Sequence, residues 1–319
     1  MKIGVVLFQL GGPDSTQSIE PFLYNLFCDP DIIDFPFARI ARQPLAKLIS
    51  TTRARKVAHH YEEIGGKSPI LENTVKQAVA LEAVLRTGLD ARVVVAMRYW
   101  HPFTQEAIGL LERDRPDEVV LLPLYPQYSK TTTGSSLNEW GRRFHPNGWS
   151  PRIHAIEEFH QDPAYLDSVV EAVNATLAGI DDLSDTDFVF SAHSVPVAII
   201  ERGDPYQRQI ERTAELVWQR GGWPGRKSIC YQSKVGAAKW LRPSMHETVK
   251  RLAAENRKHI VVVPISFVSD HVETLHEIAI EHREQARGLG IEDFRMVPGL
   301  NDSPNFIAAL AGLVRKSLQ

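Results

Sequence analysis

The sequence predicts an α/β protein of two domains, each a parallel four-stranded sheet flanked by helices. Three observations carry that expectation. Short β-branched runs alternate with longer helix-like stretches along the chain. The runs are apolar throughout rather than at every second position, which marks strands covered on both faces. They also divide four and four about residue 150. With 319 residues, 43% apolar and 24% charged, the chain has material for two ordinary cores.

In chain order, the first four strands are expected at 3–8 (IGVVLF), 93–98 (VVVAMR), 118–123 (EVVLLP) and 152–156 (RIHAI). The second four are 187–192 (DFVFSA), 228–231 (SICY), 259–266 (HIVVVPIS) and 294–297 (FRMV). Helical spacing of apolar residues covers stretches such as 69–87, 103–113, 163–178, 205–220, 243–256 and 271–288. The loop "HPNGWSPR" separates a domain over 1–150 from one over 151–319, with the C-terminal helix free to pack back on the first. The formal net charge of −3 argues against nucleic acid as a partner. Cys28 and Cys230 match no metal or redox spacing and suit a reducing compartment. No apolar run is long enough to span a bilayer, so the expected location is cytoplasmic.

In folds of this class, ligands bind beyond the carboxyl ends of the strands. Polar, aromatic and basic residues gather there: Gln9 and Leu10, then Arg98 to His101, then Tyr125 to Lys130 in the first half. The second half contributes "SAHSVP" (191–196), "QSKVG" (232–236) and "FVSDH" (267–271). The gap between the halves is the expected site. Two tempting motifs fail. "IGGKSPI" (64–70) has Tyr61 where a phosphate loop needs glycine, and "HEIAIEH" (276–282) spaces its histidines by six rather than four.

The stretch "SDHVETLHEIAIEH" sets Glu273, Glu277 and Glu281 four residues apart with no basic residue among them. Such carboxylates stack along one side of a helix and repel, so the face is suited to a visiting cation. His193 taken alone fits a packed histidine, and Glu273 taken alone a solvated glutamate. Both follow strands of the second half, and one imidazole with one carboxylate suits Fe²⁺, Zn²⁺ or Co²⁺. A structural metal site closes with four ligands, so a pair suggests a metal that is bound briefly and handed on. The segment "FLYNLFCDPDIIDFPF" (22–37) reads either as a core helix with a buried loop or as an apolar lip.

Taken together these pieces resemble the ferrochelatases, which insert Fe²⁺ into a porphyrin to complete haem. The resemblance rests on "QLGGPDS" (9–15), "FLYNLFCDPDII" (22–33), "IGGKSPI", "MRYWHP" (97–102), "LYPQYSKTTTGSS" (124–136), "SAHSVP", "YQSKVG" (231–236) and "SDHVETLHE" (269–277). It implies two Rossmann-like, chelatase-type domains facing a porphyrin cleft. It implies His193 and Glu273 as catalytic and metal-holding groups, with Asp270 and His271 beside them. Glu277 and Glu281 become a relay for protons or metal, on what is often a π-type helix. Porphyrin-binding positions carried over are Leu10, Arg53, Tyr61, Ser68, Arg98, Tyr99, Tyr125 and Trp240. The implied partners are a porphyrin substrate and haem product, with peripheral membrane contact at its inner face or handover from the preceding oxidase. Fe²⁺ is substrate, Zn²⁺ and Co²⁺ are alternatives in vitro, and no cofactor is permanently bound. The chain stops at Gln319 and has Lys130 at a loop position that some relatives use as a ligand; no [2Fe–2S] cluster is expected. Protoporphyrin IX is the expected substrate. The alternatives are coproporphyrin III, a cobalt or nickel tetrapyrrole chelatase, and a non-catalytic haem carrier.

Overall fold

The structure, a computed structural model, describes residues 1–32, 38–145, 147–180, 182–234 and 238–319. It divides into two units: Met1–Phe159 with Ile307–Gln319, and His160–Phe306. The division falls later than residue 150 because the chain beyond the fourth strand still bonds to the first unit. Ile156 N–H donates to Leu121 O (2.9 Å) and Phe159 N–H to Pro126 O (2.9 Å). The end of "FLYNLFCDPDIIDFPF" and part of "YQSKVG" fall on 33–37 and 235–237, outside the described residues.

Unit 1 holds strands β1 (Lys2–Gln9), β2 (Asp90–Met97), β3 (Glu118–Pro123) and β4 (Arg152–Ala155), in spatial order β2-β1-β3-β4. Unit 2 holds β5 (Thr186–His193), β6 (Arg226–Gln232), β7 (His259–Pro264) and β8 (Asp293–Met296), in the order β6-β5-β7-β8. Every pairing is parallel. The two orders are the same, position for position. All eight expected strands are present. Central strands β3 and β7 are buried almost throughout, whereas edge strands β4 and β8 are half-buried or exposed along most of their length. That difference explains why the central runs read as unbroken apolar sequence.

The first unit's helices are α1 (Ile19–Phe27), α2 (Ala38–Glu63), α3 (Ile70–Leu85), α4 (Thr104–Asp114) and α5 (Ser135–Arg143). The second's are α6 (Pro163–Thr176), α7 (Val197–Glu201), α8 (Tyr206–Gly221), α9 (Met245–Ala254) and α10 (Arg283–Gly288). Helix α11 (Pro304–Ser317) closes the chain. Local chemistry sets several of the boundaries. Asp162 caps α6 by accepting from Ala164 N (3.1 Å) and Tyr165 N (3.0 Å), with Pro163 in the first turn. Ser244 and Glu247 form a capping box on α9. One core lies under β1 to β3 around Val6, Phe8, Leu111, Leu121 and Trp140, and the other around Val189, Val249, Leu252, Val262 and Ile278.

Helix α2 is absent from the pattern read in the sequence. It contains Pro44 and seven basic or histidine side chains between Arg42 and His60, so its apolar spacing is weak. Ala46, Ser50 and Tyr61 are buried positions on it. Phe22 and Phe27, read as candidates for an apolar lip, are only 5% and 7% exposed on α1. For these two the core reading holds. Among the described residues no helix is long and apolar enough to cross a membrane.

Candidate active site

In unit 2 the chain leaves β5 and β7, neighbours in the sheet, towards opposite edges: β6 flanks one and β8 the other. Ligands in such sheets bind at the carboxyl ends on either side of this switch. His193 is the last residue of β5, and β7 leads through Ser266 and Asp270 into a π-helix over Glu273–His282. The backbone of His193 is fixed on both sides. Its N–H donates to Ser266 Oγ (3.0 Å) and its carbonyl accepts from the Tyr206 hydroxyl (2.9 Å).

His193 Nδ1 and Glu273 Oε2 stand 3.1 Å apart. Both atoms are covered, and neither has an aligned hydrogen bond, so the contact is one of charge rather than a directed bond. Burial works against a charged imidazole, but the Glu273 carboxylate and, behind it, Glu277 outweigh burial and raise His193 above its ordinary value. Burial likewise opposes ionisation of Glu273; His193 and then His271 overcome it and hold this carboxyl far below the usual range. Each group thus favours the charged form of the other. His271 Nδ1 lies 3.1 Å from Ser269 O, and its Nε2 stands 3.8 Å from Glu273 Oε2.

The π-helix places the three glutamates at successively more open positions: Glu273 and Glu277 are half-buried, Glu281 is exposed. Burial and the neighbouring Glu273 charge push Glu277 up to about 7. Against that shift, its carboxylate accepts from Ser233 N (2.9 Å) and from the Ser233 hydroxyl. Stretches of π-helix are rare and gather at functional sites. Among the described residues no group of three or more His, Cys, Asp or Glu side chains forms a metal cage.

Asp270, read from the resemblance as a partner in the chemistry, is engaged in local hydrogen bonds. Its oxygens accept from Asn301 Nδ2 (2.8 Å), Gly299 N (3.0 Å) and the Thr274 hydroxyl (3.1 Å), an arrangement that holds backbone rather than substrate. Trp240 lies in a short antiparallel bridge with Pro196, three residues past His193, and its covered Nε1 has no hydrogen-bond partner.

The remaining positions belong to unit 1. Arg98 and Tyr99 follow β2 but turn inward. Tyr99 is 1% exposed and donates its hydroxyl to Asp29 Oδ2 (2.5 Å), while Arg98 Nη2 pairs with the same oxygen at 3.0 Å. Tyr125 is buried, which raises its phenol well above the ordinary value and keeps it a donor. Ser68 is buried against Gly12, where a Cβ would stand 2.6 Å from its hydroxyl; only glycine permits that approach. Tyr61 is buried and Leu10 half-buried. Arg53 is half-buried, and its covered Nε has no partner.

Sequence reading missed Gln232, Ser233, Tyr206 and Ser266. Gln232 accepts from Ser191 Oγ and donates to the Glu273 carbonyl (3.1 Å), tying β5 and β6 to the start of the π-helix. Gln232 and Ser233 lie within "QSKVG", which position after a strand did flag, but without a role for either residue. Tyr206 and Ser266 carry no such signal.

The ferrochelatase family profile matches residues 2–318. A ferrochelatase of Aquifex aeolicus is 46% identical over 320 residues, spanning the whole of both chains, and one of Geotalea daltonii is 47% identical over 98% of this chain and 97% of its own. A Synechocystis ferrochelatase is 44% identical, with 99% of this chain matching 83% of that one. Among solved structures, SirB from Bacillus subtilis with Fe³⁺ aligns with a TM-score of 0.59 at 11% identity, over 99% of this chain and 96% of that one. CbiX, described as the terminal enzyme of sirohaem biosynthesis in denitrifying bacteria, aligns at 0.54 and 13% over the whole of both chains. At such identity these two speak for the fold alone: two chelatase-type, Rossmann-like units. The sequence matches reach further, and by them the chain belongs to the ferrochelatase family.

Proposed function

We propose that this enzyme inserts Fe²⁺ into protoporphyrin IX to give protohaem, using His193 and Glu273 as the groups that meet the metal. The porphyrin loses two N–H protons as the iron gains its bonds to nitrogen, so each turnover must place two protons. The observation that carries the assignment of residues is the 3.1 Å pair of His193 Nδ1 and Glu273 Oε2, covered and without other hydrogen bonds.

The electrostatics divide the labour. Glu273 is held far below the usual carboxylate range, which makes it a poor proton acceptor and a steady anion for an arriving cation. His193 is raised and holds its proton more tightly than an ordinary histidine, until the divalent ion displaces that proton to solvent. As the ion passes to the pyrrole nitrogens, the vacated imidazole takes one pyrrole proton. Glu277, at about 7, is matched to receive the other and exchange it through exposed Glu281. No permanently bound cofactor is needed for this sequence. In the first unit Arg53, with its unpartnered Nε, fits a porphyrin propionate; in the second, Trp240, bridged to Pro196 three residues past His193, offers apolar surface. On α2, exposed Leu45 and Leu48 stand near Lys47, Arg55 and Lys56, which supports peripheral contact with an anionic membrane on the cytoplasmic side, where the preceding oxidase would hand over porphyrin.

The test is His193→Ala, assayed with Fe²⁺ and protoporphyrin IX. Insertion should fall at least a hundredfold, about 2.7 kcal/mol of barrier, while porphyrin still binds. Retention of more than a tenth of wild-type turnover removes His193 from the reaction.

A further inference from the structure

The loop after β8 reaches back to the start of the π-helix through one side chain, Asn301. Its backbone is left-handed, with φ of +44°, a conformation that asparagine tolerates better than most residues. Its N–H donates to Val268 O (2.8 Å). Its amide oxygen accepts from Asp270 N (3.0 Å), and Nδ2 donates to Asp270 Oδ2 (2.8 Å) and Gly299 O (3.1 Å). The side-chain amide thus grips both the main chain and the carboxylate of Asp270, using its acceptor and both donors. The other oxygen of Asp270 accepts from Gly299 N and from the hydroxyl of Thr274, which is fully buried and follows Glu273 directly. Gly299 is pressed against this junction: a Cβ there would stand 2.8 Å from Asp270 N.

We propose that Asn301 is a positioning residue for metal insertion, acting through Asp270 and Thr274 to hold the first turn of the π-helix so that Glu273 faces His193. This rests on the reading of His193 and Glu273 given above. On this account Asp270 supplies hydrogen-bond acceptors, not a proton. Displacement of a reacting group by an ångström costs on the order of a hundredfold in rate, so a remote amide at the right junction is enough to matter.

An exchange of the two side chains provides the test. Asn301→Asp sets two carboxylates face to face and should lower kcat at least tenfold, with the porphyrin KM within twofold of wild type. Adding Asp270→Asn restores a donor–acceptor pair with the polarity reversed, while the amide oxygen introduced at position 270 still accepts from Gly299 and Thr274. The exchange cannot replace the donation to Gly299 O, so the doubly exchanged protein should recover at least threefold over Asn301→Asp without reaching wild-type kcat. A double variant no faster than the single one would overturn the proposal, because it would show that the carboxylate is needed at position 270 itself. Wild-type kcat in Asn301→Asp would overturn it too. Asn301→Gly keeps the left-handed backbone without the amide and should also lose at least fivefold in kcat; it serves if Asn301→Asp does not fold. Wild-type turnover by Glu273→Gln would overturn the parent reading and the clamp together. A null at Asn301 beside an inactive Glu273→Gln overturns the clamp alone.

Discussion

At the scale of single residues, the site works by opposing shifts on adjacent groups. His193 binds its proton more tightly in the folded protein than in the unfolded chain. Its contribution to stability is therefore complete below the ordinary histidine value and is lost as pH climbs through the raised one. Glu277 acts in the same sense. Between the ordinary carboxylate value and about 7, the native state holds a proton that the unfolded chain has released, so stability falls as pH rises across that window. Glu273 is the reverse case, stabilising above its unfolded value and losing that only in strong acid. Glu277→Gln mimics the neutral form, so its melting temperature should decline less than wild type between pH 5 and 7.5; parallel curves would mean that Glu277 titrates normally. On the proposed function, metal and proton compete for His193. Zn²⁺ affinity, measured by calorimetry without porphyrin, should therefore rise about tenfold per pH unit below the raised value and level off above it. In Glu273→Gln the levelling point should move to lower pH, and a Zn²⁺ affinity independent of pH would refute the competition.

At the scale of elements, the π-helix is the feature that the sequence showed as a charge pattern and only its resemblance suggested as a geometry. Four-residue spacing of Glu273, Glu277 and Glu281 is visible at once, because repulsion without basic neighbours is unusual. The bonding pattern of the helix is not, since nothing in the residues themselves requires a wider turn. The gradient from half-buried Glu273 to exposed Glu281 orders their expected effects on turnover. Glu273→Gln should cost most, Glu277→Gln several-fold, and Glu281→Gln least, chiefly as a changed dependence on metal concentration. Equal rates for all three variants with Fe²⁺ and with Zn²⁺ would reduce the ladder to an acidic helix face. The central strands are legible because burial on both faces leaves no polar positions. Helix α2 is not, because Pro44 and its many charges hide a narrow buried seam. Arg98 and Tyr99 are found by position, but not their depth: sequence locates a residue after a strand, whereas inward rotation onto Asp29 depends on a partner some seventy residues away.

At the scale of the whole molecule, the two sheets repeat one strand order, yet the first unit is discontinuous in sequence. It is completed by Ile307–Gln319, and Arg315 Nη2 there donates to Val84 O on α3 (3.1 Å). Ile307, Leu310, Ala311 and Val314 repeat at helical spacing and are all no more than 2% exposed. The last helix is thus part of a core laid down more than two hundred residues earlier. Leu310→Ala should cost about 2–5 kcal/mol through lost burial and the cavity it leaves, lowering the melting temperature by roughly 5–10 °C. Val79→Ala, at a position 67% exposed on α3, removes two methyl groups from a solvated face and should change stability by less than about 0.5 kcal/mol. Both variants should keep wild-type turnover at 25 °C, since neither touches the π-helix or β5. Similar melting temperatures for the two would show that α11 is not integral to the first core.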